Sequence, residues 1–527
     1  MRTSLQSFRK NRALWITLVV FLLFLFVAIR GMEPEDWVIT LLRGLSVGSV
    51  IFLVASGFSL IFGLMDVLNL AHASMFMIGA YVGWTVAVRP DTAVDAFTLL
   101  ILLISGFTLL PVWERALGRI KLPSRLVSLF PWASLILALL VLGATLPRYP
   151  ITSWDIGSYE ISPTNFAFAA GQGQLVVPEP EQFRGISPVA GLGGIILGSL
   201  LAGLCVAGFY RWRRAAVSAA QLSSDERLNW KPFIIFALLI ILGIGVYLAN
   251  TPVSDFLLSI DNTWLFLLAI LVAVLTGAGI GLLMETVLIR PLYATPVYIL
   301  MLTLGISAII VEVVRSTWGS PEFTMPRASI FNGTGEGCPA ESLGALLANK
   351  CATIRILEGR VRTYNELFIP LLGLVVLVVV WLLLQRTRLG MIVRAGVQDS
   401  EMVEALGINV RRVFTTVFAL GVGLAALGGV VAAPSMGLTT TLGESLLINI
   451  LVALAIGGLT SYPGAAVGSL MVGLLQQFVI KYGQIGINIP FLEQPFKPTP
   501  PLVPASTVLL MVIVLLVMPQ GLFGRKE

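Results

Sequence analysis

The chain has 527 residues, 57% of them hydrophobic and 12% charged, with a mean hydropathy of +0.92. That balance excludes a water-soluble globular protein, and in so apolar a chain a net charge of +6 makes no case for nucleic acid. With His72 its one histidine and only three cysteines, the sequence offers no Cys/His cluster for a metal.

Apolar runs such as LWITLVVFLLFLFVAI (14–29) and FIPLLGLVVLVVVWLLL (368–384) recur along the chain. A hydrocarbon core roughly 30 Å thick asks for about 20 apolar residues in a helix. Lipid offers backbone amides no partners, so such runs have to be helical. The expectation is an all-α polytopic membrane protein with about fourteen spans, near 13–29, 40–64, 76–88, 97–112, 131–147, 190–210, 232–249, 263–288, 297–314, 368–386, 413–433, 445–460, 464–480 and 503–519. Runs 76–88 and 445–460 are short enough for half-spanning or re-entrant helices. No small-x-small site follows the first run, which reads as a span and not as a cleaved signal.

Basic loops tend to stay in the cytoplasm. Arg2, Arg9, Lys10 and Arg12 place the N-terminus inside, and alternation then puts 113–130, 211–231, 386–412 and the Arg525-Lys526 end inside too. Loop 148–189 falls outside, with Asp155, Glu160, Glu179 and Glu181 against Arg148 and Arg184. Loop 315–367 also falls outside and holds Cys338 and Cys351, with twelve residues between them. Spacing and compartment allow a disulfide there; two unpaired thiols are the alternative. Cys205 lies in an apolar span and reads as packing.

Polar groups inside spans are costly. Asp66, Asn69 and His72 fall in DVLNLAH, a break between two spans. A discontinuous helix there would line a solute path; alternatively, His72 only satisfies a buried carbonyl. Gly44/Gly48, Gly277/Gly281 and Gly464/Gly468 have the spacing that lets helix backbones approach closely. Glu285 and Arg290 read as an orienting ion pair at a cytoplasmic membrane edge.

The stretch RTRLGMIVRAGVQDSEMVEALGINVRRV (386–413) breaks the apolar pattern. Asp399 and Ser400 suit a helix N-cap, Glu401 and Glu404 its positive end, and Gly407 its C-terminal stop. The spacing predicts a helix over 399–406 with Met402, Ala405 and Leu406 near one face. Such a helix is too short to stand alone. Held between two spans, it is either a rigid knob for another protein or a solvated loop that enforces topology.

This stretch and the glycine- and alanine-rich run after it resemble the cytoplasmic coupling loop and following span of permease subunits of branched-chain amino acid ABC transporters. Four further stretches fit that family in order: GLSVGSVIFLVASGFSLIFGLMDVLNLAHASMFMIGAYVG (44–83), ETVLIRPLYATP (285–296), LTLGISAIIVEVVRSTWG (302–319) and AIGGLTSYPGAAVGSLMVGLLQ (455–476), with a terminal PQGLFGRKE. The resemblance implies that Asp399, Glu401, Glu404, Ala405 and Gly407 seat in an ATPase cleft and carry its closing motion into the membrane. Leu406 stands where the family's EAA-type loop has a second small residue. Asn69 and His72 match an N-x-A-H segment.

The family likeness covers 40–88 and 263–527, the latter with coupling loop 386–412. Between them, 89–262 reads as an insertion of about four extra spans and an outside loop, and 1–39 as an extra N-terminal span. The resemblance further implies a cytoplasmic (inner) membrane importer of leucine, isoleucine or valine. Two ABC ATPase subunits carrying ATP and magnesium, a second homologous permease and an extracytoplasmic solute-binding protein would complete it. The chain itself has no G-x-x-x-x-G-K-[ST] loop, so no cofactor is expected on it. The arginines of 386–412 would meet acidic ATPase surfaces or anionic membrane lipid. The same family includes permeases for other amino acids, short amides and urea. An ion-coupled secondary transporter, the competing class, would want mid-span charges, which are nearly absent apart from cases such as Glu312. An intramembrane enzyme would want HExxH or a second histidine, and the chain has neither.

Overall fold

The computed structural model describes residues 28–66, 68–120, 123–151, 183–215, 230–293, 295–319, 322–398, 400–488 and 494–524, together with 19, 21–23 and 26. Both chain ends, most of 148–189, most of 211–231 and Asp399 lie outside the described residues. Within them the protein is all-α and polytopic. Ten described helices are long and apolar enough to cross a membrane. His72–Val88, Leu442–Gly457 and Leu502–Val517, with 17, 16 and 16 residues, fall short of that length. Among the described residues the count of about fourteen apolar spans thus resolves into ten of full length and shorter runs, the latter having the composition of a span without the ~20 residues that a bilayer asks for.

The chain divides into two compact units, whose described residues are those up to Val88 and from Asp261 onward, and those between Arg89 and Ile260. The first opens with α1 (Pro34–Met65) and α2 (His72–Val88). The second holds α3 (Pro90–Ser105), α4 (Leu110–Arg119), α5 (Ser124–Thr145), α6 (Pro188–Ala215), α7 (Lys231–Leu248) and α8 (Asn250–Ser259). The first then resumes with α9 (Asn262–Leu283), α10 (Pro296–Trp318), α11 (Leu343–Ala348), strands β1 (Thr353–Ile356) and β2 (Gly359–Arg362), and α12 (Ile369–Arg386). It ends with α13 (Arg388–Gln398), α14 (Ser400–Ala405), α15 (Val410–Met436), α16 (Leu442–Gly457), α17 (Tyr462–Ile485) and α18 (Leu502–Val517).

In the first unit, α1 is apolar all round and buried along most of its length, as such a helix must be. Its neighbours α15 and α17 come close because small residues line the crossings. A methyl built on Gly473 would strike the Gly48 nitrogen, so α1 and α17 touch backbone to backbone. Gly277 and Gly281 of α9 give room to the side chains of Ala426 and Val422 of α15. In lipid, where burying apolar surface drives no association between helices, such close packing is a main source of cohesion.

The segment between α10 and α12 forms a small folded cap. Strands β1 and β2 pair antiparallel with Thr353 opposite Arg362. Cys338 and Cys351 are bridged, their Cα atoms 5.5 Å apart. Ala340, Leu346, Ile354 and Val361 make its core. Paired backbone bonds between Phe323 and Leu438 tie this cap to the turn after α15.

The second unit centres on α3 and α6, with Leu102, Tyr149, Phe183, Leu192 and Ile195 in its core. Within it Arg89 and Asp91 form a buried pair at 2.7 Å, and Tyr149 donates to the Asp95 carbonyl at 3.2 Å. Cys205 is free and buried there.

Candidate functional site

The polar stretch folds as two helices strung between α12 and α15. Thr387 caps α13 by accepting the Gly390 amide at 3.2 Å, and Arg394 reaches back to Gln385 at 2.7 Å. Val393 is buried with Leu64 of α1 and Val417 of α15, which pins α13 to the membrane part. In α14, Val403 is the anchor at 4% exposure. Met402 and Leu406 are 65% and 75% exposed, and Glu404 and Ala405 are exposed beside them. Glu401 lies within α14.

Gly407 ends the helix in the left-handed region, at φ +80°. Its amide donates to the Glu404 carbonyl at 2.9 Å and the Ile408 amide to Val403 at 3.4 Å, the two bonds of a Schellman stop. Asn409 then caps α15 by accepting the Arg412 amide. The segment is thus a short, closed knob fixed at both ends.

In the opening turns of α15, Thr415 joins a brace built on a buried carboxylate. Arg290 donates to both oxygens of the fully buried Glu285, at 3.1 and 2.8 Å, and to Thr415 at 2.6 Å. The Tyr293 hydroxyl donates to Glu285 at 2.7 Å. Burial first, then the Glu285 carboxylate, push the Tyr293 phenol above its ordinary pKa. The expected Glu285–Arg290 pair is present, joined by two residues that sequence reading missed. Thr415 is 130 residues from Glu285, and no local pattern links them.

DVLNLAH does not form one cluster. Asp66 takes a left-handed conformation at φ 51° and is exposed, whereas Asn69 and His72 turn back into the core. His72 Nε2 donates to the Val54 carbonyl at 3.1 Å, the bland role foreseen for it, and meets Phe58 edge-on. Neither side-chain heteroatom of Asn69, nor His72 Nδ1, finds a hydrogen-bond partner among the described residues.

At the far ends of α12 and α15 from the polar stretch lies a cavity of about 450 Å³, lined by Ile369 and Met436 at those ends. Its charged residues are Arg43, Arg362 and Glu366. Glu366, its side chain 2% exposed, accepts Arg43 Nε at 2.8 Å and the Arg362 amide. Asn365 accepts from Ser435 and Asn449 from Gln476, each at 3.0 Å.

With this geometry in hand, comparison with known sequences is decisive. The family model described as "Branched-chain amino acid transport system / permease component" matches residues 40–179 and 241–519. The chain belongs to this family. It is 27% identical over 288 residues to the high-affinity branched-chain amino acid transport system permease protein LivH of Escherichia coli (strain K12), a match covering 54% of this chain and 83% of that protein. Over the same length it is 26% identical to the corresponding permease protein BraD of Pseudomonas aeruginosa, with the same coverage. It is 23% identical over 151 residues to a probable LivH of Methanocaldococcus jannaschii, covering 29% of this chain and 45% of that one. No solved structure gives a significant match.

In this permease component, α14 and Gly407 gather Glu401, Glu404 and Ala405 on one short segment, while Asp399 lies outside the described residues. Asn69 and His72 lie in the helical core. The cavity residues escaped the sequence reading altogether. Arg43 and Glu366 each sit near the end of an apolar run, where a charge looks like ordinary membrane-edge punctuation.

Proposed function

We propose that the chain is the membrane-spanning subunit of an ATP-driven ABC importer that carries branched-chain amino acids across the cytoplasmic membrane. Separate ATPase subunits hydrolyse the ATP. The observation that carries this reading is the exposed α14 knob, with Met402, Glu404 and Leu406 outward and Val403 anchored, in a chain of this family. A rigid knob tied directly into α15 is a suitable receiver of force. A push on α14 passes through Asn409 into α15, and the Glu285–Arg290–Thr415 brace passes it on to α9.

Two ATPases, a second permease of the same family and an extracytoplasmic solute-binding protein complete the proposed machine, with both termini inside. Asn69 and His72 are proposed to line the solute path, and residues 89–262 to form an accessory insertion. Other amino acids, short amides and urea are the alternative cargoes.

The test is affinity capture of the chain from its own membranes in mild detergent, with mass spectrometry of partners and labelled-leucine uptake. ATPase subunits are expected with the native chain and are lost from Glu404→Lys, while the variant remains in the membrane. Capture without any ATPase, or full uptake by Glu404→Lys, would overturn the coupling role.

A further inference from the structure

We propose that the cavity under the disulfide-clipped cap binds the carboxylate and aliphatic chain of an amino acid, with Arg43 reading the carboxylate and Glu366 acting as its positioning residue. This rests on the import reading and narrows its cargo, since short amides and urea carry no carboxylate.

A guanidinium has five N–H donors in a rigid fork. Among the described residues, Glu366 is the one partner of Arg43, and it occupies Nε. The two terminal nitrogens remain for a second planar acceptor, and the side chain is 45% exposed while lining the cavity. A bidentate carboxylate is the ligand such an edge fits best. The charges agree: two guanidinium groups and one carboxylate line the space, a surplus of one positive charge. Outside the lining, burial and then the nearby Arg362 hold the Arg327 guanidinium below its ordinary pKa, with Glu366 opposing. The field around Glu366 thus has more cations than one acid neutralises. A purely structural ion pair would be packed on both sides; here Glu366 is buried and Arg43 stays 45% exposed toward the cavity.

The remaining walls suit the rest of the molecule. Val47, Val50 and Ile51 of α1, with Leu446 of α16, give an aliphatic face. The amide oxygens of Asn365 and Asn449 accept one hydrogen bond each from protein, which leaves a lone pair apiece for an ammonium. The volume falls within the roughly 300–1,000 Å³ of small-molecule sites. Position fits as well. The cap that delivers Arg362, Asn365 and Glu366 is clipped by the Cys338–Cys351 bridge and joined to it by the Thr363 hydroxyl, which donates to the Cys351 carbonyl at 2.9 Å. A disulfide belongs to an oxidising compartment, the side from which an importer must load.

Saturation-transfer NMR on the full-length chain in phosphatidylcholine nanodiscs, which detects weak binding, tests this with leucine, isovalerate, leucinamide and urea as probes. Leucine and isovalerate are expected to bind, and leucinamide and urea to bind at least about tenfold more weakly, as loss of a charged hydrogen-bonded contact implies. Arg43→Lys, which keeps the charge but loses the fork, is expected to weaken leucine by a similar factor. Glu366→Ala, which takes away the acceptor that orients Arg43 Nε, is expected to erode the preference of leucine over leucinamide, and Glu366→Gln, which keeps an acceptor oxygen there, to retain it. Leucinamide binding as well as leucine to the native chain overturns the site without any variant having to fold; so does undiminished leucine binding by Arg43→Ala. Either result leaves the import reading standing, since that is judged by ATPase capture and uptake.

Discussion

Asp261 shows how one side chain ties a membrane helix to its cap. It is the N-cap of α9, accepting the Thr263 amide at 2.8 Å, and it also accepts the Ser329 hydroxyl from the cap segment. The Ser329 bond first, and the Thr263 amide next, hold its carboxyl below the usual range. A carboxylate with a depressed folded-state pKa contributes stability that is present above its unfolded value of about 3.9 and is lost as pH falls through the folded value. Asp261→Ala is therefore expected to cost about 1 kcal/mol near neutral pH, the typical worth of an N-cap. The gap between variant and native chain should close below pH ~4. Thermal unfolding of the detergent-solubilised proteins across pH reads this directly, and a gap that stays constant into acid would show that ionisation of Asp261 contributes nothing.

At the scale of elements, the α13–α14 segment and the cap each depend on one local device. Gly407 holds a left-handed conformation with nothing near its Cα that a side chain would strike, so the cost of substitution is conformational. Gly407→Val should cost about 1–2 kcal/mol at that turn and abolish uptake with the protein still inserted in the membrane. Retained uptake would show that the α14 stop is dispensable. For the cap, the Cys338–Cys351 bridge closes a segment with a sequence separation of 13, and a loop of that size is worth about 3 kcal/mol in the chain-entropy account. Reduction is expected to raise amide exchange over 333–366 and leave 388–409 unchanged; equal exchange before and after would remove the bridge from the cap's stability. The first device was legible in the sequence, because a short polar run that ends on a glycine marks where a helix stops. The cavity was not. Arg43 and Glu366 are 323 residues apart, and hydrophobic periodicity reports which face of a helix is apolar, not which helix comes alongside it. DVLNLAH shows the converse limit. Three polar residues close in sequence are parted by the left-handed turn at Asp66.

At the scale of the whole molecule, the proposed import mechanism requires that the α14 knob and the disulfide-clipped cap face opposite compartments. One helix, α12, joins them: its 18 residues, with the wide turn Thr363–Phe368 before it, make one span. Returning through α15 brings the chain back to the cap side at Leu438, where it bonds Phe323. A single crossing each way fixes opposite sidedness whatever the number of spans elsewhere. The native chain is well suited to a test by thiol labelling, since Cys205 is buried and Cys338 and Cys351 are bridged. Leu347 on α11 and Leu406 after α14 are 68% and 75% exposed, so cysteines placed there would react without disturbing a core. A membrane-impermeant maleimide applied to intact cells stripped of their wall is expected to label Leu347→Cys and spare Leu406→Cys. Inside-out vesicles should give the reverse pattern. Labelling of both from one side would mean that α12 does not cross, and the knob would then have no route by which to move the cavity end of the bundle. Labelling of Leu406→Cys from outside alone would invert the molecule and leave the knob beyond the reach of any ATPase.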